Sequence, residues 1–357
     1  MHVAVDANGL AWGWSGIPKY IDRLVRELAS QGLTITLLAN SDDADLVDAS
    51  GVRTVVARRR GGARWRDGFV APWLLAECPD VYWAPEGALP RRCPVPSVIT
   101  IHDLTPVSAP RTKDWRARLS FRAVVRSAGA ADRVIAVSEW TAREVERLIG
   151  VNQSRIRVIP NGVDAAFTPG DRATARRSVE HRWGVPPPIV LAVGTLERRK
   201  GLDVVVEATG AVAGETDGWD LVVAGAEGDR AIAAKVDVTP RCHRIGPVSD
   251  EELVDLYRAA DALVAPALAE GFGITPLEAM ACGTPAVVSS GSGALEIISG
   301  EAAVVVRERS PAAWIAGIQE ARRCHAEIVE RGVACAARYR WDRAASEVRA
   351  VFDELVA

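Results

Sequence analysis

The 357-residue sequence has no apolar run long enough to cross a bilayer; its longest apolar stretches are strand-sized and bounded by glycine, proline or charge. The opening Met1-His2-Val3-Ala4-Val5-Asp6 lacks a basic segment ahead of an apolar core, so no signal peptide is expected. The six cysteines (Cys78, Cys93, Cys242, Cys282, Cys324 and Cys335) form no Cys-x-x-Cys pair. Their spacing suits neither a zinc site nor a disulfide framework, and scattered reduced thiols point to the cytoplasm. Short-period repeats and low-complexity tracts are absent, which argues against solenoids and disordered arrays. The Gly-x-x-x-x-Gly-Lys-Ser/Thr P-loop and the Gly-x-Gly-x-x-Gly dinucleotide fingerprint are also missing.

What is present is a globular composition, 48% hydrophobic and 25% charged, in a chain of two-domain length. The net charge of −3 is uneven. Residues 1–165 carry 22 basic against 18 acidic side chains, and the remainder 21 against 28. A mildly basic first half hints at an anionic partner, although chance surface variation gives the same imbalance. Nothing in the pattern calls for nucleic acid.

Along the chain, short apolar runs alternate with helical periodicity. His2 to Val5 is a strand, followed by a loop holding Gly13 and Ser15-Gly16-Ile17-Pro18. Tyr20-Ile21, Leu24-Val25 and Leu28-Ala29 repeat with helical spacing, and Thr34 to Leu38 is the next strand. Val98 to Ile101 runs into His102-Asp103. Arg133 to Val137 runs into Ser138, an N-cap for the helix through Leu148. Near residue 160 a strand ends in Asn161-Gly162-Val163-Asp164, and Phe167-Thr168-Pro169-Gly170 reads as a linker. Alternation then restarts, with strands at 189–193, 221–224, 262–265 and 284–289, helices at 202–211 and 251–260, and a last helix from Trp341-Asp342. The expectation is α/β with two doubly wound parallel sheets, residues 1–165 and 166–340, ligands binding at the carboxyl ends of the strands.

Loops after strands therefore carry the chemistry. Glu270-Gly271-Phe272-Gly273 follows the 262–265 strand and opens a helix with Thr275 as N-cap, Pro276 at N1, Glu278 at N3 and Gly283 as terminator. Thr-x-x-Glu is capping-box spacing, in which Glu278 satisfies only a backbone N–H. The same geometry suits a ligand: glycines let the backbone approach closely, a helix N-terminus attracts an anion, and flanking carboxylates grip hydroxyls. Gly194-Thr195-Leu196-Glu197-Arg198-Arg199-Lys200-Gly201 follows the 189–193 strand, where its cations would neutralise a diphosphate. Most such charge runs are solvated surface loops. His102 beside Asp103 at a strand end is a further active-site candidate.

These stretches are similar to glycosyltransferase family 4, retaining enzymes of the GT-B fold. The likeness is dense from Val193 to Gly201 and through GPVSDEELVDLYRAADALVAPALAEGFGITPLEAMACGTPAVVSS. It is looser but in order at Val5-Asp6-Ala7, Ser15-Gly16-Ile17, Trp83-Ala84-Pro85-Glu86-Gly87, Thr100-Ile101-His102-Asp103-Leu104, Val137-Ser138 and Pro160 to Asp164. Trp341-Asp342-Arg343-Ala344-Ala345 resembles the family's last helix, residues 341–357 here, which returns to the N-terminal domain.

The resemblance implies two Rossmann-like domains facing a cleft, the first binding acceptor and the second a nucleotide sugar. It implies that Glu278 holds the ribose hydroxyls and Glu270 the donor sugar, with the amides of Gly271, Phe272 and Gly273 around that sugar. Arg199 and Lys200 would stabilise the leaving diphosphate, Gly16 would close over it, and His102 would sit by the sugar with Asp103 as its neighbour. Val248, behind Gly246-Pro247, would meet the base, and Thr195 and Ile274 complete the donor contacts. No second carboxylate is placed for double displacement, so a front-face transfer with retention is expected. No Asp-x-Asp metal motif is read in the chain, and neither a divalent metal nor another cofactor is expected. GDP-mannose is the first candidate donor, with UDP- and dTDP-sugars open. The acceptor is a glycan, a lipid-linked or a small-molecule hydroxyl. The competing readings are an epimerase or phosphorylase on the same fold and a non-catalytic sugar-nucleotide-binding protein. Ala267, where many members have Ser, and Thr195 and Arg198, at variable positions, leave the phosphate contacts open. Residues 111–126, with Trp115, Leu119 and Phe121 among arginines, read either as a basic amphipathic helix at a membrane surface or as an ordinary surface helix.

Overall fold

The structure is a computed structural model that describes residues 1–12, 16–40, 47–57, 62–104, 115–291, 293–298 and 301–357; of residues 11, 12, 115–120 and 297 it describes the backbone only. The chain forms two compact units. The first is built from Met1–Pro110, Asp114–Gly162 and Arg340–Ala357, and the second from Val163–Tyr339.

The first unit is a parallel sheet of β1 (His2–Asp6), β2 (Thr34–Ala39), β3 (Val52–Val56), β4 (Val81–Ala84), β5 (Ser97–Ile101), β6 (Arg133–Ala136) and β7 (Ile156–Val158), in the order β3-β2-β1-β4-β5-β6-β7. Parallel strands are covered on both faces, so their sequences read as continuous apolar runs and not as alternation. The two-residue period reappears as a division between two cores. Val3, Val5, Ile35, Leu37, Val81 and Trp83 pack on one face, and Ala4, Leu38, Tyr82, Ala84, Ile99 and Ile101 on the other. The first face is closed by the helices Gly16–Ser30 and Trp341–Val356. The latter buries Trp341, Ala344, Ala345, Val348, Val351 and Phe352, and its Glu354 accepts from Arg133 and Arg157 at 3.2 and 2.8 Å.

The second unit has β8 (Ile189–Val193), β9 (Asp220–Ala224), β10 (Cys242–Gly246), β11 (Ala262–Ala265), β12 (Ala286–Ser289) and β13 (Val304–Val306), all parallel, in the order β10-β9-β8-β11-β12-β13. Val190, Ala192, Leu221, Val223 and Val264 face one core, and Ile189, Leu191, Val222, Ala224 and Leu263 the other. Phe167, expected in a linker, is instead buried in this second core with its ring 5.7 Å from that of Tyr257. From β8 the chain winds outward to β10, then crosses back to β11 and winds the other way. The reversal leaves a crevice at the carboxyl ends of β8 and β11, where such sheets bind ligands.

Candidate active site

Two loops meet at that crevice. The loop after β8 turns at Gly194, makes a single helical turn at Arg198–Lys200 and ends at Gly201, whose φ of +64° favours glycine. The loop after β11 runs from Pro266 to Gly273. Its Leu268 N–H donates to the Arg199 carbonyl at 2.7 Å, and a Cβ on Gly201 would collide with the Pro266 carbonyl. Gly293 N–H donates to the Glu270 carbonyl at 2.8 Å, supporting the second loop from beyond β12.

The docking brings opposite charges together. Lys200 Nζ lies 2.6 Å from Glu270 Oε2, and Arg199 Nη1 lies 3.5 Å from the same oxygen. Arg199 Nε also donates to Glu197 Oε2 at 2.7 Å. The side chains of Arg199, Lys200 and Glu270 are only 15%, 24% and 22% exposed, so water screens them incompletely. Arg198 points elsewhere, to Asp229 at 2.7 Å, with two-thirds of its side chain exposed. A recess of about 550 Å³, measured out to its open mouth, is lined here by Thr195, Lys200, Glu270, Gly273, Thr275 and Ala294 among others.

Glu278 differs from the capping-box expectation. The helix begins at Ile274, with Gly273 as N-cap at φ +86°, so Thr275 is its second residue and Glu278 its fifth. That places Thr275 inside the helix and turns Glu278 inward, where it is 3% exposed and accepts from Tyr257 Oη at 2.9 Å. Burial, then the Glu278 charge, push the Tyr257 phenol well above its ordinary range, so it stays a donor. A true capping box occurs one helix earlier. Ser249 Oγ accepts from Glu252 N–H at 3.2 Å, and Glu252 Oε2 from Ser249 N–H at 2.6 Å. Gly283, at φ +82°, does follow the end of the 274–281 helix.

Thr195, Lys200, Glu270 and Gly273 thus share one recess, with Arg199 bonded to Glu270. Gly271, Phe272, Ile274, Val248 and Glu278 do not line it. Phe272 is 4% exposed and meets the Tyr339 ring edge-on at 6.1 Å, and Val248 packs against the second core. Glu197 and Tyr257 were missed as participants. Glu197 was visible as a carboxylate two residues before Arg199, whereas Tyr257 carried no signal beyond an interior position on its helix.

In the first unit, Gly16 is the exposed first residue of its helix, and a Cβ there would meet nothing within 4 Å. His102 follows β5. Its Nε2 stands 2.9 Å from the Pro85 carbonyl, which only accepts, so the proton is on Nε2 and Nδ1 keeps its lone pair. Burial lowers the His102 pKa against the opposing pull of Pro85 and Asp103, and the ring is neutral at pH 7. Asp103 is half-buried beside it. Gly13 and Ser15 lie outside the described residues. So do residues 111–114 and the side chains of 115–120 in the segment considered for a membrane; Phe121 and Val124 of the helix Trp115–Ala130 pack against the core. Among the described residues no helix is long and apolar enough to cross a membrane, and no three His, Cys, Asp or Glu side chains cluster to hold a metal. An Asp-x-Asp triplet does occur away from the family-like stretches, at Asp43-Ala44-Asp45, outside the described residues.

A family model described as Glycosyl transferases group 1 matches residues 175–333, and one described as Glycosyltransferase Family 4 matches residues 14–167. The D-inositol 3-phosphate glycosyltransferase of Acidothermus cellulolyticus is 32% identical over an alignment covering 96% of this chain and 86% of its own. This chain belongs to glycosyltransferase family 4. The same-named protein of Actinosynnema mirum is 29% identical, covering 95% of this chain and 92% of its own. Among solved structures, sucrose-phosphate synthase from Thermosynechococcus elongatus superposes with a TM-score of 0.80 at 20% identity, covering 99% and 98% of the two chains. Anabaena HepE in complex with UDP and glucose gives 0.78 at 16%, covering 99% of both. The glycosyltransferase therefore has the GT-B fold, two parallel-sheet α/β domains.

Proposed function

We propose that this glycosyltransferase moves a hexose or deoxyhexose from a nucleoside-diphosphate sugar to an acceptor hydroxyl, with retention and by a front-face route. The observation that carries the reading is the meeting of Arg199, Lys200 and Glu270 at the crevice between β8 and β11. A diphosphate entering the recess takes over the cations, and Glu270, released from Lys200, accepts from hydroxyls of the donor sugar. As the glycosidic bond breaks, charge builds on the leaving phosphate beside two preplaced cations, an electrostatic contribution that needs no reorganisation. The leaving oxygen itself takes the acceptor proton, so no further base is required. Glu278, held by Tyr257, serves the ribose hydroxyls, and Thr195, Val248 and the 271–274 backbone complete the donor contacts. Gly16, His102 and Asp103 serve substrate from the first unit, the side assigned to the acceptor. GDP-mannose remains the first donor to try, beside UDP-glucose, because HepE was solved with UDP-glucose. A cyclitol phosphate joins the glycans and lipid-linked sugars as an acceptor, because the curated relatives are named for D-inositol 3-phosphate. The protein works in the cytoplasm, without a divalent metal and without nucleic acid; for 111–126 an ordinary surface helix is preferred to membrane contact, since Phe121 and Val124 pack on the core.

The test is thermal unfolding with GDP, UDP, dTDP and ADP in EDTA, for wild type and Glu278→Ala. A nucleotide at about a hundred times its Kd stabilises by roughly 2.7 kcal/mol. One nucleotide should act on wild type and not on Glu278→Ala, and with its sugar Lys200→Ala should lose about 10²–10³ in kcat/KM. No shift with any nucleotide would sink the donor site. An inverted anomeric signal in the NMR spectrum of the product would sink retention.

A further inference from the structure

The first sheet has its own reversal point. Its order places β1 beside β4, with the chain winding away on either side, and the carboxyl ends of these strands carry Asp6 and Glu86. Asp6 is 3% exposed and satisfied, accepting from Asn8 N–H at 3.2 Å and from Tyr82 Oη at 3.0 Å. Glu86 is different. Its Oε1 is fully buried and has no hydrogen-bond partner among the described residues. Space for it comes from Gly9, where a Cβ would stand 2.8 Å from that oxygen and 2.9 Å from Ile21 Cδ1. The turn that carries it is fixed on both sides. Gly87 N–H closes onto the Ala84 carbonyl at 3.0 Å, and the Pro85 carbonyl accepts from the His102 ring at 2.9 Å. Arg66 lends positive field to Asp6, Tyr82 and Glu86 from a π-helical turn at Arg66–Val70, a distortion frequent at functional sites.

A buried acceptor without a partner costs about 1–3 kcal/mol, so a donor that reaches it, a water or a ligand hydroxyl, gains that much. A metal is a poor candidate, because Asp6 and Glu86 lack a third ligand among the described residues. We propose that Glu86 is an acceptor-recognition residue whose carboxyl receives a hydroxyl of a polyhydroxylated acceptor, a sugar or cyclitol, at the β1–β4 crevice of the first unit. The inference rests on the glycosyl-transfer reading above. Burial and the neighbouring Asp6 charge hold Glu86 well above the carboxylate range, and Arg66 only partly offsets them. A carboxyl that keeps its proton both donates and accepts, which matches the two faces of a hydroxyl. An enclosed water would satisfy the same oxygen, and the experiment separates the two.

The experiment titrates wild type, Glu86→Gln and Glu86→Leu with myo-inositol, D-glucose and D-mannose, read by thermal unfolding, and runs the nucleotide panel in parallel. At least one polyol should stabilise wild type. Glu86→Gln, which still donates and accepts, should bind it within about threefold, and Glu86→Leu should bind it at least about tenfold more weakly, the worth of one hydrogen bond. Nucleotide binding should be unchanged in all three proteins. If Glu86→Leu keeps the full polyol shift, or if no polyol shifts wild type while a nucleotide does, the inference falls and the carboxyl only anchors its turn. If neither nucleotide nor polyol shifts wild type, the glycosyl-transfer reading falls with it.

Discussion

Glu278 is a buried carboxyl with a donor, whereas Glu86 is half-buried and its enclosed Oε1 has none among the described residues. Glu278 accepts from the Tyr257 phenol, which burial and then the Glu278 charge push well above its ordinary range. Burial first, and then the Asp6 charge, favour the neutral form of Glu86, whose Oε1 has no donor among the described residues. Asp6 is shifted the same way, mainly by burial, although Asn8, Tyr82 and Arg66 oppose it. The unfolded chain gives up these protons in the ordinary carboxyl range, while the folded chain holds them longer. Their contribution to stability is therefore full below that range and declines as pH rises through the raised folded values. Glu86→Gln removes one of the two titrations. Chemical denaturation at a series of pH values should show a shallower decline for the variant; identical slopes would mean that Glu86 is ionised in the fold. Little of this was legible in the sequence. The Trp83 to Gly87 segment was visible as a family-like stretch, but partnerless burial depends on Gly9, some seventy residues away.

At the scale of elements, most central strands were plain in the sequence because parallel strands covered on both faces are uniformly apolar; β4, central but only Val-Tyr-Trp-Ala, was not read as a strand. β8 and β11 are Ile-Val-Leu-Ala-Val and Ala-Leu-Val-Ala, read with the right bounds. Of the edge strands β7 was read, and β3, β10 and β13 were not. β10 is Cys-His-Arg-Ile-Gly, half-exposed and paired on one side only, and β3 alternates Val-Arg-Thr-Val-Val at the other sheet's edge. β13 has only three residues, too few to show a period. The helix at 274 was read two residues late because Thr-Pro looks like a cap followed by N1, whereas Gly273 in the left-handed region starts the helix earlier. The cationic turn depends on a similar glycine. Gly201→Ala would place a methyl group against the Pro266 carbonyl at a φ that L-residues avoid, so the two loops must separate. The strained backbone alone costs about 1–3 kcal/mol, and the variant should also lose nucleotide affinity through misplaced Arg199 and Lys200. An unchanged Tm in unfolding scans would show that the loops have slack.

At the scale of the molecule, the last helix is a structural part of the first unit. Phe352 is fully buried in the same core as Val3, Val5 and Trp83, with its ring 6.0 Å from that of Trp83. Phe352→Ala should cost about 3–5 kcal/mol, the usual result of truncating a buried aromatic. Differential scanning calorimetry should show the loss in one transition; a loss below 1 kcal/mol would mean the helix is a loosely held tail. This return of the chain was legible only through the resemblance of Trp341 to Ala345, since periodicity shows an apolar face without saying which core it covers. The return also has a consequence for biosynthesis. A ribosome makes β1 to β7 first, yet one face of that sheet, covered in part by Gly16–Ser30, is completed only when Trp341–Val356 appears, about 180 residues after Gly162. Val163–Tyr339 is continuous and can complete its core in the meantime. The second unit is therefore expected to complete its core before the first, against the usual N-terminal-first order of vectorial folding. Its first half is the segment that a nascent-chain chaperone would have to shield longest.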